Sequence, residues 1–142
     1  MPPDRKFTLG FIFDSASRHV LLVHKERPEW QKGKVNGVGG KYESGEGAEA
    51  CIQRETQEET TLEIPESNWV YVGVIHQEKG DVDVLAARYR GSMEDAKRND
   101  DEEIGWFPID ALPENVMTNV SWLVPLSLEK LDGVFKAFSV EY

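Results

Sequence analysis

Residues 40–62 read GKYESGEGAEACIQRETQEETTL, and this stretch decides how the rest of the chain is interpreted. Together with the residue that follows, it holds seven glutamates and a single arginine. At about 100° per residue, a helix places Glu55, Glu58 and Glu59 on one arc, beside the apolar residues of the segment. A solvated acidic face would lie opposite those apolar residues. The pattern therefore predicts a helix whose acidic side chains face the body of the protein.

Three carboxylates on one helix face need a compensating charge. Like charges at this spacing repel by roughly 0.2–0.5 kcal/mol per exposed pair, and by more once they lose water. One arginine does not offset this repulsion. Mg²⁺ prefers oxygen ligands and commonly binds through carboxylates together with substrate phosphates. The pattern therefore indicates a divalent-metal site, with a glutamate-rich helix exposed to solvent as the alternative.

The same residues resemble the Nudix box, whose pattern is G-x5-E-x7-R-E-U-x-E-E-x-G-U, where U is a bulky aliphatic residue. The matching positions are Gly40, Glu46, Arg54, Glu55, Glu58, Glu59 and Leu62. Thr56 replaces the first aliphatic residue and Thr61 replaces the last glycine. Thr61 leaves the end of the helix undetermined, because glycine commonly supplies the left-handed residue there. Neither replacement removes a metal ligand of the pattern.

The resemblance implies an enzyme that hydrolyses a nucleoside diphosphate linked to another group. Its metal, Mg²⁺ or alternatively Mn²⁺, would be held by the Gly39 carbonyl and by Glu55, Glu58 and Glu59. The resemblance also implies the catalytic residues. Glu55 or Glu59 would activate the attacking water, Arg54 would hold Glu55 in position, and Glu46 would position water or support the metal ligands. A further acid often joins from outside the box. In the run DDEE at residues 100–103, Glu102 is the candidate and Asp101 the alternative.

Residues 7–62 also resemble the MutT-type pyrophosphatases, which act on oxidised purine triphosphates such as 8-oxo-dGTP. That resemblance implies substrate contacts by Thr8, Lys25, Asn36, Gly40, Lys41 and Asn119. Asn36 and Asn119 would read the base edge, because an amide both donates and accepts hydrogen bonds. The alternatives are an Asn-Gly turn at Asn36, a helix cap at Asn119 and a solvated side chain at Lys41. Val116 stands where mammalian relatives carry a stacking aromatic residue.

Composition narrows the class of protein further. A chain of 142 residues fits one domain, here residues 1–142. Its formal net charge of −10 disfavours binding to a nucleic acid polymer, whereas a small nucleotide accompanied by Mg²⁺ remains compatible. The one cysteine, Cys51, fits a small core residue and a reducing, cytoplasmic location. No apolar run approaches the length needed to cross a bilayer, so no membrane partner is expected. Monomer and homodimer both remain open.

The hydrophobic pattern predicts an α/β/α sandwich with a mixed sheet, the fold that the Nudix resemblance also implies. The predicted strands cover residues 6–14, 19–25, 69–77, 82–90 and 104–109, with an edge strand within 134–142. The predicted helices run from residue 44 or 45 to 60, and from about 121 to 130 with Pro125 in the first turn. Residues 27–35 and 91–101 are predicted to be polar loops, the second one mobile. His19, His24 and His76 are interpreted as structural.

Three functions compete at this point. Hydrolysis of a nucleoside triphosphate to a nucleoside monophosphate and pyrophosphate leads. Hydrolysis of ADP-ribose or another nucleotide sugar is less favoured, because such proteins usually carry an extra N-terminal dimerising segment and this chain begins almost at its first strand. A non-catalytic nucleotide sensor is the third. Such sensors typically lose a carboxylate of the box, and here all are present.

Overall fold

The structure is a computed structural model that describes residues 6–142. Its strands are β1 (Lys6–Asp14), β2 (His19–His24), β3 (Val35–Asn36), β4 (Val70–His76), β5 (Asp81–Tyr89), β6 (Ile104–Pro108) and β7 (Phe138–Glu141). Its helices are α1 (Ala48–Thr60) and α2 (Val120–Leu131), with short 3₁₀ turns at Glu29–Gln31, Glu66–Asn68 and Met93–Asp95. Among these residues, no helix combines the length and the apolar content needed to cross a membrane.

The strands form one mixed sheet in the order β3-β2-β1-β5-β4-β7, with β6 on β2. The pairs β1/β5 and β4/β7 are parallel and the others are antiparallel. The strands β1 and β2 pair only near their common turn, at Ile12–Phe13. Beyond that point the chain from Val35 to Lys41 enters the gap, pairing first with β2 and then with β1. The glycine-rich segment is thereby held against the start of β1.

Alternating side chains of the sheet build two hydrophobic cores. On one face Phe11 and Val84 pack with Leu123 of α2. On the other face Ile12 and Leu85 pack with Ile52 of α1. Each helix therefore covers one face of the sheet. The predicted α/β/α sandwich with a mixed sheet is confirmed, and Cys51 is fully buried as expected of a core residue.

Helix α1 begins later than the sequence predicts. Gly45 adopts a left-handed conformation at φ +84° and Gly47 is the N-cap, so residues 44–47 form a turn rather than the first helical turn. Glu46 consequently precedes the helix. At the other end, Thr61 takes the left-handed conformation at φ 65° that the pattern assigns to glycine, and its N–H donates to the Gln57 carbonyl. The helix thus ends as in the family pattern, with strain of about 1–2 kcal/mol at a β-branched residue.

Two further expectations about the elements were wrong in part. The polar loop predicted at residues 27–35 contains a 3₁₀ turn and the first residue of β3. Pro125 is the sixth residue of α2 rather than part of its first turn, because the helix begins at Val120. The predicted edge strand within residues 134–142 is present at Phe138–Glu141. The charged loop at 91–101 has its own 3₁₀ turn and is fastened to α1 by the Lys97 N–H, which donates to the Thr60 carbonyl at 2.8 Å.

Candidate active site

The glycine-rich segment passes between β1 and the acidic face of α1. The Thr8 N–H donates to the Gly40 carbonyl at 2.8 Å, and Gly10 and Val38 exchange backbone hydrogen bonds. A Cβ atom at Gly39, whose φ is +147°, would overlap the Thr8 carbonyl, and one at Gly40 would overlap the Glu55 carboxylate. Glycine is therefore required at Gly39, where the overlap is with backbone, whereas at Gly40 a side chain would displace the Glu55 carboxylate from its present position.

Two of the three helix acids face inward and one does not. The side chain of Glu55 is 14% exposed and residue Glu59 only 6%. Glu59 Oε1 is buried and has no hydrogen-bond partner. Glu58, by contrast, has a side chain that is 56% exposed, so the inward orientation expected for it was wrong. The cause is Arg54, which attracts the Glu58 carboxylate at 3.2 Å, while helix geometry places Glu58 about 100° around the axis from Glu59.

Arg54 connects the glycine-rich segment with three carboxylates. Its Nε donates to Glu46 at 2.6 Å, and Nη1 donates to Glu55 and Glu58, each at 3.2 Å. Its Nη2 donates to the Lys41 carbonyl at 3.0 Å. The contact between Arg54 and Glu55 is the one that the resemblance implies. The role of Arg54 as an orienting residue nevertheless stays a prediction.

Burial raises the pKa values of Glu55 and Glu59, whereas a hydrogen bond lowers the pKa of Glu46. Desolvation, reinforced by the Glu55 carboxylate, raises the pKa of Glu59 to about 9, against the opposing effects of Lys25 and the Gly39 backbone. Desolvation also raises the pKa of Glu55. The Arg54 hydrogen bond lowers the pKa of Glu46 to about 2, so that carboxylate is ionised at neutral pH. Glu55 and Glu59 therefore form a pair that favours binding a proton or a cation.

A cavity of about 590 Å³ opens in front of this pair. It brings together most of the residues predicted from the sequence, namely Thr8, Lys25, Asn36, Gly39, Gly40, Lys41, Glu55, Glu59, Glu102 and Asn119. Arg54, Glu46 and Glu58 stand behind or beside the acids rather than on the cavity wall. Among residues 6–142, no three His, Cys, Asp or Glu side chains are already gathered around one point. A three-carboxylate metal site would need Glu58 to leave Arg54.

The two asparagines differ in how their amides are used. Asn36 accepts from the Gly37 N–H at 2.8 Å and donates to Gln31 Oε1 at 3.2 Å, and it lies in strand β3 rather than in the Asn-Gly turn that was its alternative role. Asn119 is the N-cap residue of α2 but makes no side-chain capping bond. Its Oδ1 is buried without a partner. Asn119 therefore occupies the cap position given as its alternative role, but its side chain does not cap the helix, and within residues 6–142 its amide oxygen has no donor.

Glu102 reaches the cavity, but protein donors already engage its carboxylate. Lys25 Nζ donates to Oε1 at 3.3 Å, and the backbone N–H groups of Glu26 and Arg27 donate to Oε2 at 2.6 and 3.2 Å. Asp101, the alternative candidate, binds the Arg27 guanidinium at 2.6 Å near the surface. Whether either acid contacts a metal stays a prediction.

Sequence reasoning missed several cavity residues outside the box. Trp30 and Gln31 come from the loop after β2, and Gln77 and Lys79 from the turn between β4 and β5. Trp30 is 51% exposed, and Lys79 Nζ lies 4.5 Å from the centre of its ring. A tryptophan inside an otherwise polar loop was the available signal for this contact. Lys79 offered none, because a lysine in a hairpin turn is typical of solvent-exposed turns.

A sandwich that presents two buried helix acids to a glycine-lined cavity is the arrangement expected of the Nudix class. Residues 5–124 match the NUDIX domain family, and the chain belongs to that family. Among curated relatives, the oxidized purine nucleoside triphosphate hydrolase of Danio rerio is 33% identical over 118 residues, which are 78% of this chain and 72% of that protein.

A second relative differs in size and in named substrate. The NAD-capped RNA hydrolase NudC of Chromobacterium violaceum is 29% identical over 96 residues, which are 68% of this chain and 36% of that protein. The chain thus spans little more than a third of the length of NudC. Among solved structures, a MutT/nudix family protein of Enterococcus faecalis superposes with a TM-score of 0.76 at 15% identity, covering 94% of this chain and 64% of that one. This likeness confirms the fold.

Proposed function

We propose that the protein is a divalent-metal-dependent hydrolase that converts a nucleoside triphosphate to a nucleoside monophosphate and pyrophosphate. The observation that carries the proposal is the Glu55–Glu59 pair, which is buried at the wall of a cavity of about 590 Å³ with one Glu59 oxygen lacking a donor. A buried carboxylate without a donor or cation is unfavourable. Two adjacent acids at a ligand-sized cavity, one of them with a buried oxygen that accepts no hydrogen bond within residues 6–142, suit a function better than a structural role.

The donor set fits a hard divalent cation. Glu55, Glu59 and the Gly39 carbonyl supply oxygen ligands, and Glu58 could turn from Arg54 to join them. Within residues 6–142, hydrogen bonds occupy the carbonyls of Val38, Gly40 and Lys41 but not that of Gly39. Oxygen ligands of this kind suit Mg²⁺ or Mn²⁺. When bound, such a metal would screen the phosphate charge and acidify the attacking water.

The acids and the side chains around them would accept a proton, orient the metal ligands and bind the phosphates. Glu59 or Glu55, once ionised, would accept the proton of the attacking water. Arg54 would hold Glu55 in place, and Glu46 would fix Arg54 through its 2.6 Å hydrogen bond. Lys25 and Lys41 are the predicted site residues that would meet the polyphosphate, and Arg27 and Lys79 are further cations on the cavity wall. These roles make the charge of the phosphates, rather than the base, the main determinant of binding.

The base is proposed to lie toward Asn36 and Asn119. The unpartnered Oδ1 of Asn119 supports this placement, since a buried acceptor gains most from a ligand that donates to it. The relative from Danio rerio carries an oxidised purine triphosphate hydrolase name, and it supports an oxidised purine as the substrate. The fully buried single cysteine supports a reducing, cytoplasmic location.

A second candidate is hydrolysis of a nucleoside diphosphate joined to another group, such as ADP-ribose or another nucleotide sugar. The similarity to NudC, whose name specifies a NAD-capped substrate, favours it. The non-catalytic sensor is disfavoured, because every carboxylate of the box is present and two are buried at the cavity.

The test is a substrate panel with Mg²⁺ containing dGTP, 8-oxo-dGTP, ATP and ADP-ribose, with products separated by chromatography. The proposal expects a nucleoside monophosphate and pyrophosphate from at least one triphosphate, with the largest kcat/KM for the oxidised purine. Cleavage of ADP-ribose alone would transfer the assignment to the second candidate. Absence of hydrolysis throughout the panel would contradict both enzyme assignments.

A further inference from the structure

Glu102 is the most completely bonded buried acid at the cavity. The residue is 3% exposed. Its Oε1 accepts from Lys25 Nζ, and its Oε2 accepts from two successive backbone N–H groups, those of Glu26 and Arg27. The Arg27 guanidinium adds an ion pair with Oε2 at 3.6 Å. These partners lie 75 to 77 residues away in the chain.

This environment leaves Glu102 little capacity to bind a metal. An ionised carboxylate offers about four lone-pair positions. Three hydrogen bonds and one ion pair occupy them, and two of these partners, Lys25 and the Arg27 guanidinium, are cations. Glu59 on the opposite side of the cavity shows the contrary state, with an oxygen that no donor reaches. Donating to a cation would therefore require Glu102 to break the contacts that hold the chain after β2.

The chain that Glu102 holds carries part of the cavity wall. Lys25 closes the following loop by exchanging backbone hydrogen bonds with Gly33 and Lys34. Within that loop, Trp30 and Gln31 line the cavity, and Gln31 accepts a hydrogen bond from Asn36. The contacts of Glu102 thus extend through the loop to the asparagine proposed to read the base.

Glu102 also affects the cavity through Lys25, which it binds directly. The Lys25 side chain is only 12% exposed, and its ammonium group acts on Glu59 across the cavity. Without Glu102 a lysine at this depth would lack its counter-ion, and its ammonium group would no longer be held in one orientation at the cavity wall.

We propose that Glu102 is a positioning residue, which aims the Lys25 ammonium group at the substrate phosphates and fixes residues 26–34 as a wall of the nucleotide cavity, rather than a ligand of the metal. The part of this proposal that concerns phosphates rests on the proposed function. The part that concerns the loop stands on the contacts alone.

The test compares Glu102→Gln with Glu103→Gln, its exposed neighbour, in three measurements on the full chain. They are Mn²⁺ affinity by electron paramagnetic resonance without substrate, amide hydrogen exchange across residues 26–34, and steady-state kinetics with the preferred nucleotide. The amide of Glu102→Gln would turn a donor toward Lys25 or the Arg27 N–H. We therefore expect exchange in residues 26–34 to accelerate about tenfold and KM to rise about tenfold, since charged hydrogen bonds are lost. The Mn²⁺ affinity and kcat should stay close to those of the native protein.

Each other outcome overturns the proposal. Loss of Mn²⁺ affinity in Glu102→Gln would identify the residue as a metal ligand, whatever the exchange shows. Unchanged exchange, or an unchanged KM in an active enzyme, would leave Glu102 without the positioning role. Should Glu102→Gln not fold, Glu102→Asp keeps the charge but withdraws it from the loop, and the same three results are expected. Should the native chain hydrolyse no nucleotide, the proposed function fails while the exchange and Mn²⁺ measurements still decide the role of Glu102.

Discussion

Glu59 and Glu102 are both nearly inaccessible acids on the wall of one cavity, yet their environments are opposite. Glu59 has a buried oxygen without a donor and a pKa raised to about 9. Glu102 is surrounded by one ammonium group, one guanidinium group and two backbone N–H groups. Burial alone therefore does not mark a metal ligand. The supply of donors decides whether a buried carboxylate still needs a cation.

Lys25 interacts with both acids, but in different ways. Lys25 Nζ bonds to Glu102 at 3.3 Å, while its effect on Glu59 is only a longer-range lowering of the pKa. The Glu102 carboxylate therefore has its donors and counter-ions within the protein. The acidic face of α1 is incomplete, and a divalent cation would complete it.

The largest expected effect comes from removing the charge of the incomplete acid. Glu59→Gln should lower kcat/KM by about a thousandfold, in line with the loss of a general base or metal ligand. Its matched control is Glu63→Gln, an exposed glutamate just beyond α1, which should be unaffected. Steady-state kinetics with Mg²⁺ measure both variants. Native turnover in Glu59→Gln would remove the contrast between the two buried acids.

A second expectation concerns the metal itself. Saturating Mg²⁺ should raise the free energy of unfolding by about 2–3 kcal/mol at a hundredfold excess over the dissociation constant. For a chain of this size, that corresponds to a Tm increase of roughly 5–10 °C. Thermal unfolding with and without Mg²⁺ measures it, and Glu59→Gln should abolish most of the increase. An equal increase in native protein and variant would show that the ion binds elsewhere.

A third expectation concerns Arg54, which holds Glu55 beside the unpartnered Glu59. Arg54→Lys cannot reproduce the forked hydrogen bonds of the guanidinium, so Glu55 and Glu46 lose a shared orienting partner. We expect kcat to fall about tenfold to a hundredfold while the fold persists, as for supporting residues of metal sites. Arg90→Lys, in the exposed turn after β5, is the control. Retention of full kcat by Arg54→Lys would show that Glu55 needs no such support.

The smallest effect, when it is measured per pH unit, is a pH dependence of the stability of the metal-free protein. Because the folded pKa of Glu59 lies above its ordinary value of 4.5, the folded state keeps a proton that the unfolded chain loses. Its contribution to stability is complete below pH 4.5 and is lost as the pH rises toward 9. The free energy of unfolding should therefore decrease by up to about 1.4 kcal/mol per pH unit within this window.

Denaturant titrations from pH 5 to 9 in the presence of a chelator measure that slope. Glu59→Gln cannot titrate and should show a flatter profile, so the difference between the two proteins isolates the contribution of this one group. Parallel profiles would mean that Glu59 is already ionised in the metal-free fold.

Much of the fold follows from local sequence patterns. The strands predicted at residues 6–14 and 82–90 are present within a residue of those bounds, because successive side chains of a strand point to opposite faces of the sheet and mark the segment locally. The start of α1 was misplaced because the left-handed turn at Gly45 depends on a backbone angle that the acidic pattern does not reveal. Strand β3 was missed because two residues carry no periodicity, and only their pairing with β2 defines it.

The sequence by itself determined the family, the helix that carries the acids and the glycines that let the backbone pass beside them, since these depend on residues close together in the chain. Only the tertiary structure decided which acids lack a donor. Glu102 meets Lys25 across 77 residues, Glu58 turns to Arg54, and Trp30 meets Lys79 from another loop. Those outcomes depend on which charges the folded sheet brings within a few ångströms of one another, and spacing along the chain does not specify that.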